Sequence, residues 1–591
     1  MTGGATLAAL DPPRPAFLAV ETSALGQRWL GPTEDEERRG QAIAQAAGLP
    51  ALVGGLLARR GVPPEEAQAY LAPSLRDLMP DPSRLRDMDA AADRLVRAVE
   101  RSERIAIFAD YDVDGGASAA LLISWLRDLG LAATLYVPDR IEEGYGPNVP
   151  AMAALGAAHD LILCVDCGTL SVEPIAAARC DVLVVDHHLC AEELPPAQAV
   201  VNPNRQDEDG ALGHLCAAGV VFLLLVACNR LLRARGQAGP DLMGLLDLVA
   251  LATIADVAPL IGLNRAFVRQ GLRVMAQGGR PGIAALAAVA GATGAPSAYS
   301  LGFVLGPRVN AGGRIGAADL GARLLATRDP HEAAALAERL HRLNAERREI
   351  EAGVLAAAEA QAQALGPDAP LVWAAGAGWH PGVVGIVAAR LKERFGRPSV
   401  VIGFEAGAGK GSGRSIAGTD LGAAVARLMR EGLIERGGGH RMAAGLSLRR
   451  DQLEPAMARL GALLASGAAP EGRSLRIDGL LAARAATPEL AGQIAAAGPF
   501  GAASPAPRLA LAGARIGQAR RIGEAHLAMT LTDRSGGRLE AVAFRAFTGP
   551  LGPLLAGAGG APLHLAGRLE RDEWAGRVRT KFQIDDAAPA R

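Results

Sequence analysis

Three apolar runs in this sequence each end in an aspartate with further polar residues behind it. Ile105-Ala-Ile-Phe-Ala-Asp110 continues as Tyr111-Asp112-Val113-Asp114-Gly115-Gly116. Leu161-Ile-Leu-Cys-Val-Asp166 is followed by Cys167-Gly168, and Asp181-Val-Leu-Val-Val-Asp186 by His187-His188. Short apolar runs rich in β-branched residues read as strands buried on both faces. In an open α/β sheet, groups just past the carboxyl ends of parallel strands line the ligand crevice. One aspartate after a strand is usually a turn residue. Three such ends, one of them Asp-x-Asp-x-Asp, instead gather carboxylates and imidazoles, a donor set suited to two hard or borderline divalent metals.

The elements that must position this set follow from the gaps between the runs, which can hold crossover helices. From Ile105 to about Thr327 the pattern is that of a parallel-sheet α/β domain. Gly115-Gly116-Ala117-Ser118 opens a helix directly after the aspartates, and its small residues and N-terminus favour close approach of an anion. Thr134 to Pro138 supplies another strand, followed by Asp139-Arg140 and Glu143-Gly-Tyr145-Gly-Pro. Leu245 to Asp256 reads as an apolar helix ending in an acid, which makes Asp256 a further carboxylate for the site.

His331 to Leu365 has the helical periodicity and mixed charge of a long, partly solvated connector. A second α/β pattern follows, with strands from Pro370 and Ser399 and a helix over Gly385 to Phe395. Gly411-Ser412-Gly413-Arg414-Ser415 and Gly437-Gly438-Gly439-His440-Arg441 are expected as glycine-rich loops whose N–H groups and cations take a phosphate. Beyond about residue 475, short apolar segments between turns suggest a small β-barrel. Arg515, Arg520, Arg521, Arg545, Arg577, Arg579 and Lys581 would line its groove, with Phe544, Phe547, Trp574 and Phe582 to stack bases. The first hundred or so residues read as short helices with a packing or entry-wall role.

Totals bound these readings. At 591 residues the chain exceeds one core, so several domains are expected. The hydrophobic content of 50% marks a folded chain, and a net charge of −1 excludes a globally basic surface. A nucleic-acid partner must therefore meet a local basic groove. The six cysteines all lie between Cys164 and Cys228 without a disulfide framework, and Cys164 and Cys167 read as buried thiols. The N-terminus lacks a signal-like pattern, and the most apolar run, Val220 to Cys228, is too short to span a bilayer. A cytoplasmic protein with no membrane partner is the expectation.

Asp110-Tyr-Asp112-Val-Asp114-Gly115, Val165-Asp166-Cys-Gly168 and Asp186-His187-His188, in this order, resemble the DHH phosphoesterase superfamily. Four further motifs are similar to its single-strand DNA exonuclease branch: Leu305-Gly-Pro-Arg308-Val-Asn310-Ala-Gly-Gly-Arg314-Ile-Gly316, Gly378-Trp-His380-Pro-Gly382-Val-Val-Gly385, Gly411 to Ser415, and Gly438-Gly439-His440 with Ala443-Ala-Gly445. The resemblance runs from about Leu71 to the C-terminus. It implies an α/β chain with a parallel-sheet DHH domain (76–330) and a DHH-associated α/β domain (368–470) joined by a long helix (331–367). An N-terminal helical segment (1–75) and a C-terminal OB-fold barrel (471–591) complete the expected plan.

The activity implied is metal-dependent 5′→3′ exonucleolytic hydrolysis of single-stranded DNA in repair and recombination. The cofactors implied are two Mn2+ or Mg2+ ions, bridged by Asp166, that activate a water and polarise the phosphodiester. Carried over by motif, Asp110, Asp112, Asp114, Asp166, His187 and Asp256 are the expected metal ligands or their close neighbours. His188 is expected beside the scissile phosphate, with Asp166 as its catalytic companion. Arg308, Arg314, Ser412, Arg414, Gly438, Gly439 and His440 are expected to hold DNA. Single-strand-binding protein and a helicase are the implied protein partners. Two departures stand out: Ala109 where the family often has glycine, and Phe500-Gly-Ala-Ala503-Ser504-Pro505 in place of Phe-Gly-x-Gly-Asn-Pro. The rival readings are a phosphodiesterase of short oligonucleotides and a non-catalytic DNA-binding relative. The first needs no extended C-terminal groove, and the second needs no intact acids.

Overall fold

The computed structural model describes residues 15–140, 142–465, 474–574 and 577–590. Contacts divide the chain into two compact units, one of residues 1–78, 260–265 and 470–591 and the other of 79–259 and 266–469. The boundary expected at 470/471 falls outside the described residues.

The second unit carries the strand-end aspartates. Five parallel strands run in the spatial order Ala133–Tyr136, Ile105–Ala109, Leu161–Val165, Asp181–Val185, Ala199–Val201. The three expected aspartate-bearing strands are adjacent and in register, Ala109 beside Val165 and Val165 beside Val185. Their side chains are almost entirely buried, because helices cover both faces. Asp110, Asp166 and Asp186 therefore emerge side by side. The helix Val113–Asp128 starts at once, its Asp112 side chain accepting from the N–H groups of Asp114 and Gly115. Gly115 is required there: a Cβ would lie 2.4 Å from the Asp110 carbonyl oxygen.

The apolar run at Val220 belongs to a longer helix, Ala217–Ala234, of 18 residues. It is long and apolar enough to cross a membrane by composition, but 72% of it is buried inside the fold. It packs between Met88–Glu100 and Val113–Asp128, so it is a core helix here.

The connector is a single 35-residue helix, Pro330–Ala364, opened by the Asp329 side chain accepting from the His331 N–H. At 1.5 Å per residue it spans about 52 Å. Its first half buries Leu336 and Leu340, and its second half sends Val354, Ala358 and Ala362 into the core of the next sheet with Val383, Val387 and Leu391. The buried Arg347 donates to Glu351 and Asn344, and Arg390 of the helix Pro381–Phe395 reaches the same Glu351 at 2.5 Å. One helix thus ties both α/β layers together.

The second sheet has the order Arg436–His440, Ala443–Arg449, Ala408–Arg414, Ser399–Glu405, Val372–Ala377. The two glycine-rich stretches expected as loops are therefore strands, Ala408–Arg414 and Arg436–His440. Glycine is there for crowding, not for turning. A Cβ on Gly411 would meet Ile402 at 2.8 Å, and one on Gly437 would meet Ile434 at 2.6 Å.

In the first unit, five strands close a barrel: Leu509–Ile522, His526–Thr532, Arg538–Ala543, Arg577–Pro589 and Leu563–Trp574, the first also pairing with the last. The N-terminal residues are not all helical. Arg28–Leu30 forms a strand parallel to Ser474–Arg476, and Val53 and Leu56 of the helix Ala51–Ala58 enter the barrel core beside Leu511 and Phe582. Buried Trp29 donates from Nε1 to Asp586 at 3.0 Å. At the departure from Phe-Gly-x-Gly-Asn-Pro, Gly501 pairs with Ser504, and Ala503 takes φ +55°, the left-handed region. A side chain there costs about 1–2 kcal/mol, partly offset by glycine's extra freedom when unfolded. Ala503→Gly should therefore raise stability by about 0.5–1 kcal/mol in a denaturant titration. An unchanged midpoint would show that the turn carries no such strain.

Candidate metal centre and substrate cleft

At the sheet's carboxyl edge the expected acids converge. His187 Nε2 lies 3.3 Å from Asp166 Oδ1, 3.7 Å from Asp114 Oδ2 and 3.9 Å from Asp256 Oδ2. Three groups of donors come within 4.8 Å of one another: Asp110, Asp112 and Asp166; Asp114, His187 and Asp256; and Asp166, His187 and His188. All six expected metal residues are thus in one cluster, shared by Asp166 and His187. Asp256 arrives as the C-cap of the helix Leu246–Ala255. Asp114 accepts from the Ala217 and Ala218 N–H groups, at the positive end of the core helix.

The cluster behaves electrostatically as a cation site. Burial raises the Asp166 carboxyl well above its usual range, and the negative charges of Asp114, Asp112, Asp110 and Asp186 raise it further. Burial likewise raises Asp110, with Asp112 adding to it, and pushes Asp256 up to about 8, with Asp114 and Asp112 adding to it. Asp110 Oδ1, Asp166 Oδ1 and His187 Nε2 are buried without a hydrogen-bond partner. Orphaned acceptors in a buried cluster of acids are costly unless a cation binds them. Oxygen donors with one or two imidazoles fit Mn2+ or Mg2+. The nearby Cys167 is no ligand, since its Sγ donates to the Val165 carbonyl. Asp166 also has φ +60°, a strained backbone for a non-glycine residue.

Behind this cluster lie residues that motif reasoning left unassigned. Asp186 is no metal ligand. Its Oδ1 accepts from the His187 and His188 N–H groups and sits 2.8 Å from His188 Nδ1, while Oδ2 takes the Thr169 N–H. Burial works against the His188 cation, but the Asp186 carboxylate prevails and its pKa is pushed up to about 9. Asn202 and Asn204, just past the fifth strand, donate to the carbonyls of His188 and His187. Tyr145 donates from its hydroxyl to the Asp166 carbonyl at 2.9 Å and lies 3.1 Å from His188 Nδ1. Asp186, Asn202 and Asn204 were findable as polar residues directly behind a strand.

A cleft of about 500 Å3 opens beside the cluster, lined by Tyr111, Arg140, Tyr145, Gly382, Ser412 and Gly438 among others. Arg414 donates to Ser412 Oγ at 3.0 Å and to the Gly413 carbonyl at 2.8 Å. Arg314 donates to the Gly382 carbonyl, and Arg140 lies over the Tyr111 ring. Among the described residues none of these three arginines has a carboxylate partner. Burial lowers Arg314 to about 10 and lowers Arg414, and the charge of Arg140 pushes both down further. Of the expected DNA-holding residues Ser412 and Gly438 line the cleft, while Arg314 and Arg414 stand behind it, bonded to the lining residues Gly382 and Ser412. Gly439 and His440 continue its edge strand, where His440 is exposed and its Nδ1 accepts from the Met442 N–H. Arg308 is not brought there by any contact: it meets His341 of the long helix and the Val304 carbonyl.

The barrel's expected groove residues separate into two sets. Phe582 is fully buried in the core and unavailable for stacking. Arg515 donates to the Gly560 carbonyl, and Arg579 and Lys581 pair with Glu540 and Asp572. Arg520, Arg521 and Arg545 are exposed, with Phe544 exposed beside His526 and Phe547 under Arg521. The side chains of Trp574 and Arg577 lie outside the described residues.

Comparison with known proteins agrees with each part. Residues 104–253 match the DHH family N-terminal domain, 368–466 the DHHA1 domain and 477–586 the RecJ OB domain. The chain is 40% identical over 567 residues to the single-stranded-DNA-specific exonuclease RecJ of Dickeya dadantii, covering 92% of this chain and 96% of the relative. It is 38% identical to that of Escherichia coli over 92% and 96% of the two chains. The crystal structure of RecJ from Thermus thermophilus with Mn2+ superposes with a TM-score of 0.78 at 30% identity, covering 95% of this chain and 79% of that one. The chain belongs to the RecJ family.

Proposed function

We propose that this protein is a divalent-metal-dependent exonuclease that hydrolyses single-stranded DNA from its 5′ end. The observation that carries this reading is the juxtaposition of a buried acid cluster with an arginine trio that lacks acid partners. Arg140 lines a cleft beside the acids, Arg314 and Arg414 are hydrogen-bonded to its lining residues Gly382 and Ser412, and the charge of Arg140 works against both until an anion neutralises them. A terminal phosphate fits that requirement, and its capture sets the first phosphodiester over the acids. The DHH branch in which the motifs fall supports the 5′→3′ direction.

Bound Mn2+ or Mg2+ supplies a water acidic enough to attack and Lewis-acid polarisation of the phosphoryl oxygen. Asp110, Asp112, Asp114, Asp166, His187 and Asp256 would hold it. Asp186 fixes the His188 ring through Nδ1, so that Nε2 can donate to the phosphate and offset its developing charge. Tyr111 and Tyr145 wall the cleft beside the acids.

The exposed Arg520, Arg521 and Arg545 offer a longer strand contacts on the OB-type barrel. Reversing all three to Glu should weaken binding of long single strands and flatten its salt dependence by about 0.7 in slope per lost phosphate contact. An unaltered slope would remove the barrel from the DNA path. We further propose a cytoplasmic role in repair and recombination alongside single-strand-binding protein and a helicase. The free thiols support the reducing compartment.

The reading is tested by following single strands labelled at either end, and the matching duplex, with Mn2+ and after chelation. Metal-dependent release of the 5′ label first, from the single strand only, is expected. Early release of the 3′ label, or equal cutting of duplex, would refute it.

A further inference from the structure

We propose that Tyr299 and Phe303 form a stacking shelf for DNA bases, beside the helix end that delivers Asp256 to the acid cluster. The proposal rests on the single-strand substrate proposed above. The two side chains are 68% and 72% exposed, and their rings stack on each other at 5.1 Å with an interplanar angle of 26°. Phe303 belongs to a π-helical turn, Ser300–Leu305, whose N-cap is Tyr299 and in which Leu301 and Leu305 are buried. Such turns are rare and recur at functional sites.

The shelf is continuous with the metal centre. A Cβ on Gly302 would meet Ile254 at 3.2 Å, and one on Gly306 would meet Ala255 at 3.3 Å. The two glycines seat the turn against the end of the helix Leu246–Ala255, whose next residue is Asp256. Val257 beyond it is a second exposed apolar side chain at this helix end, 69% exposed with φ +59°. Asp256 in turn lies 3.9 Å from His187, which lies 3.3 Å from Asp166 at the centre of the acids.

Charge selects the occupant. Arg308, on the helix Gly306–Ile315 that continues the turn, has no carboxylate partner among the described residues. Burial lowers its pKa, and the positive charge of Arg348 on the long helix lowers it further. Stacked aromatics beside unpaired arginines suit a polyanion with flat apolar bases, where a hydrophobic protein surface would leave the cations unmatched. The strand would pass from the arginine trio across the acids and lay its following bases on Tyr299 and Phe303. Arg308, which the metal cleft leaves aside, then meets its backbone.

The test is a double-mutant cycle on the full chain in EDTA, where nothing is cleaved. Binding of single strands of about 16 nucleotides, each with one abasic position, is measured by anisotropy for the parent, Phe303→Ala, Phe303→Trp and Tyr299→Ala. In the parent, one or two abasic positions should weaken Kd by roughly 5- to 150-fold. The same positions should cost Phe303→Ala little, while Phe303→Trp should behave as the parent. Equal abasic penalties in parent and alanine variants would overturn the shelf while leaving single-strand binding intact. A parent that binds no single strand would overturn the proposed function as well. Tyr299→Ala provides the same readout should Phe303→Ala misfold, and loss of coupling in neither variant also refutes the shelf.

Discussion

Asp166→Asn should lower kcat by about three to four orders of magnitude and yet raise the melting temperature of the metal-free protein. Asparagine is nearly isosteric and tolerates the left-handed backbone that Asp166 adopts at φ +60°. The substitution therefore leaves the fold in place and removes one charge from the centre of the cluster. A carboxylate shared by two of the donor groups contributes several kcal/mol of metal and transition-state charge stabilisation, about 4–5.5 kcal/mol for the predicted rate loss. Without metal the same carboxylate is a liability, since burial and Asp114, Asp112, Asp110 and Asp186 all disfavour its charge.

The sign extends to pH. Asp256 is raised to about 8, chiefly by burial with Asp114 and Asp112 adding, so its protonated form is favoured by folding. The Asp256 contribution to the stability of the metal-free protein should be fully present below the ordinary carboxylate pKa of about 4 and be lost as pH rises through 8. Saturating Mn2+ should reverse the loss in the parent, and much less so in Asp166→Asn. Thermal melts over this pH range, paired with turnover, check both signs. Parent-like turnover, or an unchanged Mn2+ stabilisation, would contradict the assignment.

Arg414→Ala should reduce kcat/KM on 5′-phosphorylated single strands by tens- to several-hundred-fold, corresponding to about 2–4 kcal/mol of phosphate interaction. The guanidinium is held from behind by Ser412 Oγ and the Gly413 carbonyl, so it meets the phosphate already oriented. Gly385 contributes by omission: a Cβ there would lie 3.2 Å from the Arg414 Nη2. Lysine should rescue only partly, because a point charge lacks the planar fork. Mn2+ stabilisation should be unchanged. The loss should shrink on strands with a 5′-hydroxyl, since the contact it removes is then absent from the parent too. Equal rates for Arg414→Ala and the parent on phosphorylated strands would make Arg414 a structural residue of its strand.

The metal residues were legible because each follows a short apolar run, and parallel strands in register deliver their ends to one edge. Asp110, Asp166 and His187 needed only that rule. Asp256 needed a helix to end at the same place, which its apolar run hinted at. The glycine strands were misread because glycine signals a turn by default. Only the approach of Ile402 and Ile434 explains its use in a sheet, and that crowding is tertiary. Arg28–Leu30 was invisible for a related reason: three residues carry no periodicity, and their partner strand lies at Ser474–Arg476. Arg140 and Tyr145 stood in plain sight after the Ala133–Tyr136 strand, but nothing local told them apart from turn residues. Arg308 was expected in the cleft because it shares a motif with Arg314. On one helix, residues six apart face different sides, and Arg308 turns to His341 instead.

The central claim is that the strand-end acids hold divalent metal at Asp166. Anomalous scattering from crystals of the full chain soaked in Mn2+ tests it most directly. Two peaks are expected, one among Asp110, Asp112 and Asp166 and one among Asp114, His187 and Asp256, both weakened or lost in Asp166→Asn. Density confined to other parts of the chain, or peaks unaltered by that substitution, would contradict the account.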